Sequence, residues 1–334
     1  NIPRGLDIPL MGEAEKVVRN VEPTRRYALK PPDFHGLRAK LLAWPGDRVK
    51  AGTPLFFNKM QPHVKYPSPV SGKVVEINRG ERRKILEIIV ESDSVMDYEN
   101  FGKDDPNGMS RESIVEKLTA SGLWSFIRQR PYSISADPND DPKAIIISGF
   151  NTAPLAPDMD LIVKGEAAHF QLGIDVLSKL TSGKIHLNLK ADYPPSQVFT
   201  EARGVQVNWF KGPHPSGNVG VQLNKIDPLN QGEVIWYISP QDIIAIGKLW
   251  REGIYDASKV IALTGSEVKK RLYYRVLRGT SIEPLVKDNV ASGELRYISG
   301  DVLTGTQIRS EGFLSYYDDQ VTAIPEGNYY EFMG

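Results

Sequence analysis

The chain has 334 residues, 41 Lys+Arg against 41 Asp+Glu, 40% hydrophobic residues and no cysteine. A zero formal charge lacks the basic excess of a nucleic-acid binder and leaves no strong field to steer an anionic substrate. Without cysteine there is no disulfide, thiolate nucleophile, zinc–thiolate site or cysteine-held iron–sulfur cluster. The longest apolar runs, such as Ala144-Ile145-Ile146-Ile147, fall far short of the roughly 20 residues of a membrane-spanning helix. The Asn1-Ile2-Pro3-Arg4 start has no signal-peptide profile, so any membrane link is expected through a partner.

The length predicts two or three domains. Residues 1–95 read as an N-terminal segment followed by β structure. Alternating stretches at 73–77 and 85–90 suit half-buried strands, and Pro45-Gly46-Asp47, Gly52-Thr53-Pro54 and Pro67-Ser68-Pro69 mark tight turns between them. Many short strands with such turns predict a small barrel or sandwich. Residues 91–107 are polar and read as a linker. From there to 255 the period changes. Ser110 caps a predicted helix that stops near Gly122, a buried strand is expected at 143–148, and a helix at 164–180 carries Phe170, Ile174 and Leu177 on one stripe. Strands at 184–189, 205–210, 233–238 and 259–263, with a helix at 240–250, complete an α/β pattern with a largely parallel sheet. Residues 256–334 turn β-rich again, with strands or turns at 271–277, 279–282 and 294–298. The chain stops at Phe332-Met333-Gly334 without a closing element, so a further segment is expected beyond it.

Several motifs carry candidate chemistry. Gly46-Asp47-x-Val49-x-x-Gly52-x-x-Leu55 followed by Ser68-Pro69-x-x-Gly72-x-Val74 resembles the barrel-sandwich fold of biotinyl and lipoyl carriers. Lys59-Met60 falls near the carrier lysine, but only three residues separate Leu55 from Lys59, so a solvated lysine competes with a modified one. Gly217-Asn218-Val219-Gly220 lacks the third glycine and the acidic partner of a dinucleotide fingerprint, and reads as a turn. His35, His63, His169, His186 and His214 form no metal pattern. His35 and His214 sit in Gly-rich loops, where ligands approach backbone. Trp124-Ser125-Phe126-Ile127-Arg128-Gln129-Arg130-Pro131-Tyr132 has two readings: a helix end with arginines snorkelling over a packed Trp, or a flat ligand site with aromatic faces and guanidinium donors. Arg79, Arg82, Arg83 and Lys84 read either as a solvated hairpin tip or as a partner or lipid-headgroup contact.

Arg4-Gly5-Leu6-Asp7-Ile8-Pro9, Asn78-Arg79-Gly80-Glu81, Gly212-Pro213-His214-Pro215-Ser216-Gly217 and residues 296–305 join the Gly46–Leu55 and Ser68–Gly72 segments in a pattern. It resembles the A-subunit family of sodium-translocating NADH:quinone reductases along nearly all of the chain. The resemblance implies three modules: a barrel-sandwich hybrid (1–95), a Rossmann-like α/β domain (96–255) and a β-grasp domain of the soluble-ligand-binding kind (256–334), with a C-terminal helical segment missing here. Fold relatives in complex I and the Rnf complex cradle FMN on a Gly-rich loop and hold clusters with cysteines. The matching stretch here, 123–133, has bulky arginines instead, so no cofactor is expected on this chain; NAD, FAD and FMN would belong to other subunits. The resemblance implies a peripheral subunit on the cytoplasmic face of the bacterial inner membrane. It would partner integral membrane subunits, bind no nucleic acid or metal, and contribute to quinone binding or to assembly. Phe126, Arg128, Arg130 and Tyr132, with Phe34 and His35, are the quinone candidates, and His214 is a further loop candidate. A carrier centred on Lys59 and a stand-alone NADH/FMN redox protein are the alternatives.

Overall fold

The computed structural model describes residues 1–328; the Phe332-Met333-Gly334 end read from the sequence lies outside them. The chain opens on an extended segment and strand β1 (Glu15–Asn20). Next come β2 (Arg26–Leu29), β3 (Ala39–Leu41), β4 (Arg48–Val49), β5 (Pro54–Asn58), β6 (Gln61–Pro67), β7 (Gly72–Arg79) and β8 (Ile85–Ser92). A four-stranded sheet, β2-β8-β7-β4, and a three-stranded sheet, β3-β5-β6, make the barrel-sandwich. Alternation along the strands turns Val64 and Tyr66, and Ile88 and Val90, fully inward, and Val74 and the adjacent Leu55 and Phe56, at an irregular point of β5, are buried as well. At Gly72 the carbonyl of Glu91 fills the space a side chain would need, so the chain turns into β7 only with glycine there. Lys59 and Met60 are exposed in the turn after β5, and the Arg79–Lys84 tip is exposed as well.

The second unit starts with α1 (Arg111–Ser121). Ser110 accepts a hydrogen bond from Ser113 N, and Gly122 ends the helix at φ 78°, so the capping signals in the sequence act as expected. Then come β9 (Arg128–Arg130), β10 (Ile134–Ser135), β11 (Ala144–Ser148), α2 (Met159–Ile162), α3 (Ala167–Leu177), β12 (Lys184–Lys190), α4 (Gln197–Thr200), β13 (Gln206–Phe210), α5 (Val219–Ile226), β14 (Ile235–Tyr237) and α6 (Pro240–Glu252). The sheet order is β10-β9-β14-β11-β12-β13. Strands β11 to β14 run parallel, and the β9–β10 hairpin is added antiparallel at the β14 edge. Ile145, Ile147, Leu187 and Trp236 face α3 and α6, while Ala144, Ile146, Ile235 and Tyr237 face α5. The expected turn at Gly217–Gly220 instead runs into α5, and the expected helix end at 124–132 is a short 3-10 turn followed by this hairpin.

The third unit holds β15 (Ser258–Thr264), β16 (Leu272–Leu277), α7 (Glu283–Val286), β17 (Leu295–Ser299), β18 (Thr306–Ile308) and β19 (Gln320–Pro325). Its mixed sheet is ordered β1-β16-β15-β19-β17-β18. Strand β1 thus leaves the N-terminal module and lies parallel to β16. The residues before it are pinned elsewhere: Ile2 N donates to Lys211 O (2.8 Å) and Leu6 N to His214 O (3.0 Å), both on the α/β unit. Among the described residues no helix is long and apolar enough to cross a membrane.

Candidate functional site

Residues 128 and 130 are two apart on a strand and project to one face. The register sets Arg128 opposite Tyr237 and Arg130 opposite Ile235, so both arginines stand on the α5 face at the sheet edge. Gln129 points the other way, where its Oε1 accepts from Trp236 Nε1 (3.0 Å). The Arg128 guanidinium lies between two rings, Tyr237 of its own sheet at 4.5 Å and Tyr317 of the third unit at 4.1 Å. Its Nε is buried without a hydrogen-bond partner. Arg130 donates from Nη1 to Ser133 Oγ (2.7 Å), and its Nε is also buried and unpartnered. Its Nη2 lies beside Gly220 in the first turn of α5, 2.6 Å from where a Cβ would stand.

An N–H shut away from water without an acceptor costs about 1–3 kcal/mol. A guanidinium on an aromatic face recovers about 0.5–2 kcal/mol. Among the described residues no carboxylate pairs with Arg128 or Arg130, so both present cationic N–H edges that this chain does not neutralise.

The second group of candidates lies in a loop packed against the same hairpin. Gly36, at φ 72°, lies against the hairpin, with Ile134 Cγ2 3.4 Å from where its Cβ would be; Ile134 is paired with Gln129, on the face away from the arginines. Tyr66 Oη and Ser135 Oγ, 3.1 Å apart, tie the barrel-sandwich to β10. His35 is exposed beside this contact, and Tyr132 is 73% exposed at the hairpin turn. Arg128, Arg130 and Tyr132 thus belong to the hairpin itself, and His35 to the exposed loop packed beside it.

Phe34 and Phe126 do not join them there, which corrects the expectation of open aromatic faces at these positions. Phe126 is fully buried, stacked on Tyr316 at 5.7 Å and covered by the Arg278 guanidinium at 4.4 Å. Phe34 is enclosed by Tyr66 (4.5 Å), Tyr316 (4.8 Å) and Tyr317 (5.7 Å). The rings that do flank the arginine are Tyr237 and Tyr317, neither of which sequence spacing linked to it. His214 serves elsewhere: its Nδ1 is 3.1 Å from Thr152 Oγ1, its N–H donates to Asp7 Oδ1 (2.8 Å), and its carbonyl receives Leu6 N. These contacts fasten the N-terminal segment.

Beneath the surface lies a polar junction of all three units. Asp33 Oδ2 accepts from Tyr316 N (2.8 Å), and Lys30 Nζ donates to Phe313 O (2.9 Å) and Ser315 Oγ (3.0 Å). Burial pushes the Asp33 carboxyl up to about 6, against the pull of Lys30 and the Tyr316 N–H. Burial also holds the Tyr316 and Tyr317 hydroxyls well above their ordinary range. Arg278, 2% exposed, pairs with buried Asp242 and donates to Tyr316 O (3.1 Å).

A cleft of about 1060 Å³ lies elsewhere, between the β7–β8 ribbon and β18. Arg25, Arg26, Lys30 and Arg309 line it together with Glu76, Glu87, Glu283 and Glu311, so its charges balance. The unneutralised arginines make the β9–β10 surface the stronger candidate.

Comparison with known proteins covers most of the chain. Family profiles described as the NqrA N-terminal barrel-sandwich hybrid domain, the NqrA second alpha/beta domain and the NQRA C-terminal domain match residues 1–93, 109–255 and 260–310. The A-subunit of the Na(+)-translocating NADH-quinone reductase of Yersinia pestis bv. Antiqua (strain Angola) is 36% identical over 338 residues, covering 100% of this chain and 75% of its own. Those of Photorhabdus laumondii subsp. laumondii (36% over 336 residues) and Hahella chejuensis (35% over 340) match with the same coverage. Among solved structures, an NAD+-reducing NiFe hydrogenase in the air-oxidized state overlaps 68% of this chain and 48% of its own. Its TM-score of 0.48 and identity of 12% carry no argument. The chain belongs to the A-subunit family of Na(+)-translocating NADH-quinone reductases, subunits of a complex that catalyses NADH:quinone oxidoreduction.

Proposed function

We propose that this subunit contacts the quinone of its complex at the β9–β10 surface, with Arg128 and Arg130 as donors to the quinone oxygens and Tyr132 and His35 beside the ring. One observation carries the reading: a guanidinium held between two tyrosines, with an unpartnered Nε and, among the described residues, no acid to neutralise it. A quinone needs a flat neighbour for its ring and a donor for each carbonyl oxygen. As the ring takes up electrons, negative charge collects on those oxygens, and fixed cationic donors stabilise that charge most where water is partly excluded. NAD and the flavins would then act on other subunits, and this chain would sit peripherally on the cytoplasmic face against the membrane subunits.

A second reading follows from the same cations: an acidic segment of a membrane subunit docks on them, and their role is assembly. Reconstitution of the whole complex separates the two. With Arg128→Gln and Arg130→Gln, quinone contact predicts a raised quinone KM with assembly intact, and loss of cross-linking to a photoreactive quinone in the hairpin. A complex that falls apart supports docking, while unchanged KM and unchanged labelling remove the quinone reading.

A further inference from the structure

Arg128 is fixed in place without the usual means. Among the described residues it has no ion pair and its Nε has no acceptor, and a side chain this long has much rotamer freedom to lose on being held. The two flanking rings are the restraint that the structure shows. Tyr237 lies beside it on the neighbouring strand. Tyr317 comes from a loop of the third unit, nearly two hundred positions further along the chain, and it is itself locked. Its hydroxyl donates to Ser125 O at 2.6 Å, and its ring meets Phe34 at 5.7 Å. Its neighbour Tyr316 is held by Ser125 Oγ at 2.8 Å and by Asp33 at the backbone. Phe34 and Asp33 precede His35, and Ser125 precedes the hairpin, so this one loop grips the residues that lead into both the His35 loop and the hairpin.

We infer that Tyr317 is a positioning residue for the quinone contact: by clamping Arg128 against Tyr237 it keeps the guanidinium N–H edge turned outward, so that the site is complete only when the C-terminal unit is docked. The inference rests on the quinone reading of Arg128. Removing the ring frees the guanidinium to swing away and hydrate. It should therefore weaken quinone binding with little effect on turnover once quinone is saturating, since the donors themselves remain. Loss of one cation–ring contact predicts a rise in KM of about five- to thirty-fold, equivalent to about 1–2 kcal/mol.

The test uses the reconstituted complex with a short-chain ubiquinone, and compares Tyr317→Leu, Tyr317→Met, Tyr317→Phe, Arg128→Gln and the Tyr317→Leu/Arg128→Gln pair. The expected result is a raised KM with near-normal kcat for Leu and Met. Phe, which keeps the ring and loses only the bond to Ser125, should restore KM to within about threefold. The double variant should be no worse than Arg128→Gln alone, because both changes remove one interaction. Wild-type KM in Leu or Met beside a raised KM in Arg128→Gln overturns the inference and leaves the quinone reading standing. So do additive effects in the double variant, or a Phe variant as impaired as Leu. Unchanged KM in Arg128→Gln removes the quinone reading itself, and Tyr317 with it. Should Leu not assemble, Met, which fills similar volume without a ring, gives the same decision.

Discussion

Replacing Asp33 by Asn probes the junction beneath the hairpin through its charge. The Asp33 side chain is 12% exposed, with Lys30 Nζ 3.8 Å away and the Tyr316 N–H at 2.8 Å. Burial is the largest influence and raises its carboxyl from 3.8 to about 6. That rise of about two pH units corresponds to roughly 3 kcal/mol, at about 1.4 kcal/mol per unit. The folded state holds this proton more tightly than the unfolded chain. The contribution is therefore fully present below about 4, is lost as pH rises through about 6, and leaves ionised Asp33 unfavourable above that. Asn cannot ionise, so Asp33→Asn should gain on the wild type as pH rises. About 1 kcal/mol of the loss has already occurred at pH 4.5, so roughly 2 kcal/mol should separate the two comparisons between pH 4.5 and pH 8. Urea unfolding followed by tryptophan fluorescence, run on both proteins at both pH values, measures this difference of differences. Any constant offset from the lost charge opposite Lys30 cancels. A stability difference that does not change with pH refutes the reasoning, as does one that moves against the variant.

Asp242→Asn should cost about 3–5 kcal/mol in thermal or chemical unfolding, because it strands buried Arg278 without its counter-charge; replacing both partners with Leu and Met should cost far less, and a single variant as stable as wild type refutes this. Lys59→Ala, at an exposed turn, should leave turnover of the complex nearly unchanged, and intact mass from the native host should show no adduct. The isolated chain should be colourless and without NADH oxidase activity; stoichiometric FMN or NADH binding by calorimetry contradicts this.

Local features of the fold are legible in the sequence because local chemistry sets them. Ser110 and Gly122 bracket α1 as capping residues do, and the β-branched run at Ala144–Ser148 forms a central strand. The stretch from Trp124 to Tyr132 differs in shape from the expected helix end, although its residues carry a usable signal. Arg128 and Arg130 stand two apart, the period of a strand, while Trp124 and Phe126 fall in the 3-10 turn before it and Tyr132 in the hairpin turn after it. Which of these rings faces inward is decided by tertiary packing: Tyr316 and Arg278 claim Phe126, and Tyr66, Tyr316 and Tyr317 enclose Phe34. No spacing rule ties Tyr317 to Arg128, because the pairing depends on how the third unit docks. Strand β1 is hidden for the same reason, since its partner β16 lies some 250 positions further on.

That pairing has a consequence for how the protein comes into being. As the chain emerges from the ribosome, its first strand has nothing to pair with until residues 272–277 have been made, by which time the barrel-sandwich and the α/β unit can already have formed. Residues 15–20 must wait unpaired through most of synthesis, and Ile2 and Leu6 must wait for 211–214. Such long-range closure is slow and leaves an uncovered sheet edge on β16 meanwhile. A bulky tag placed before Ile2 should therefore slow maturation and lower the yield of native protein more than the same tag on an exposed hairpin, even where the finished fold is equally stable.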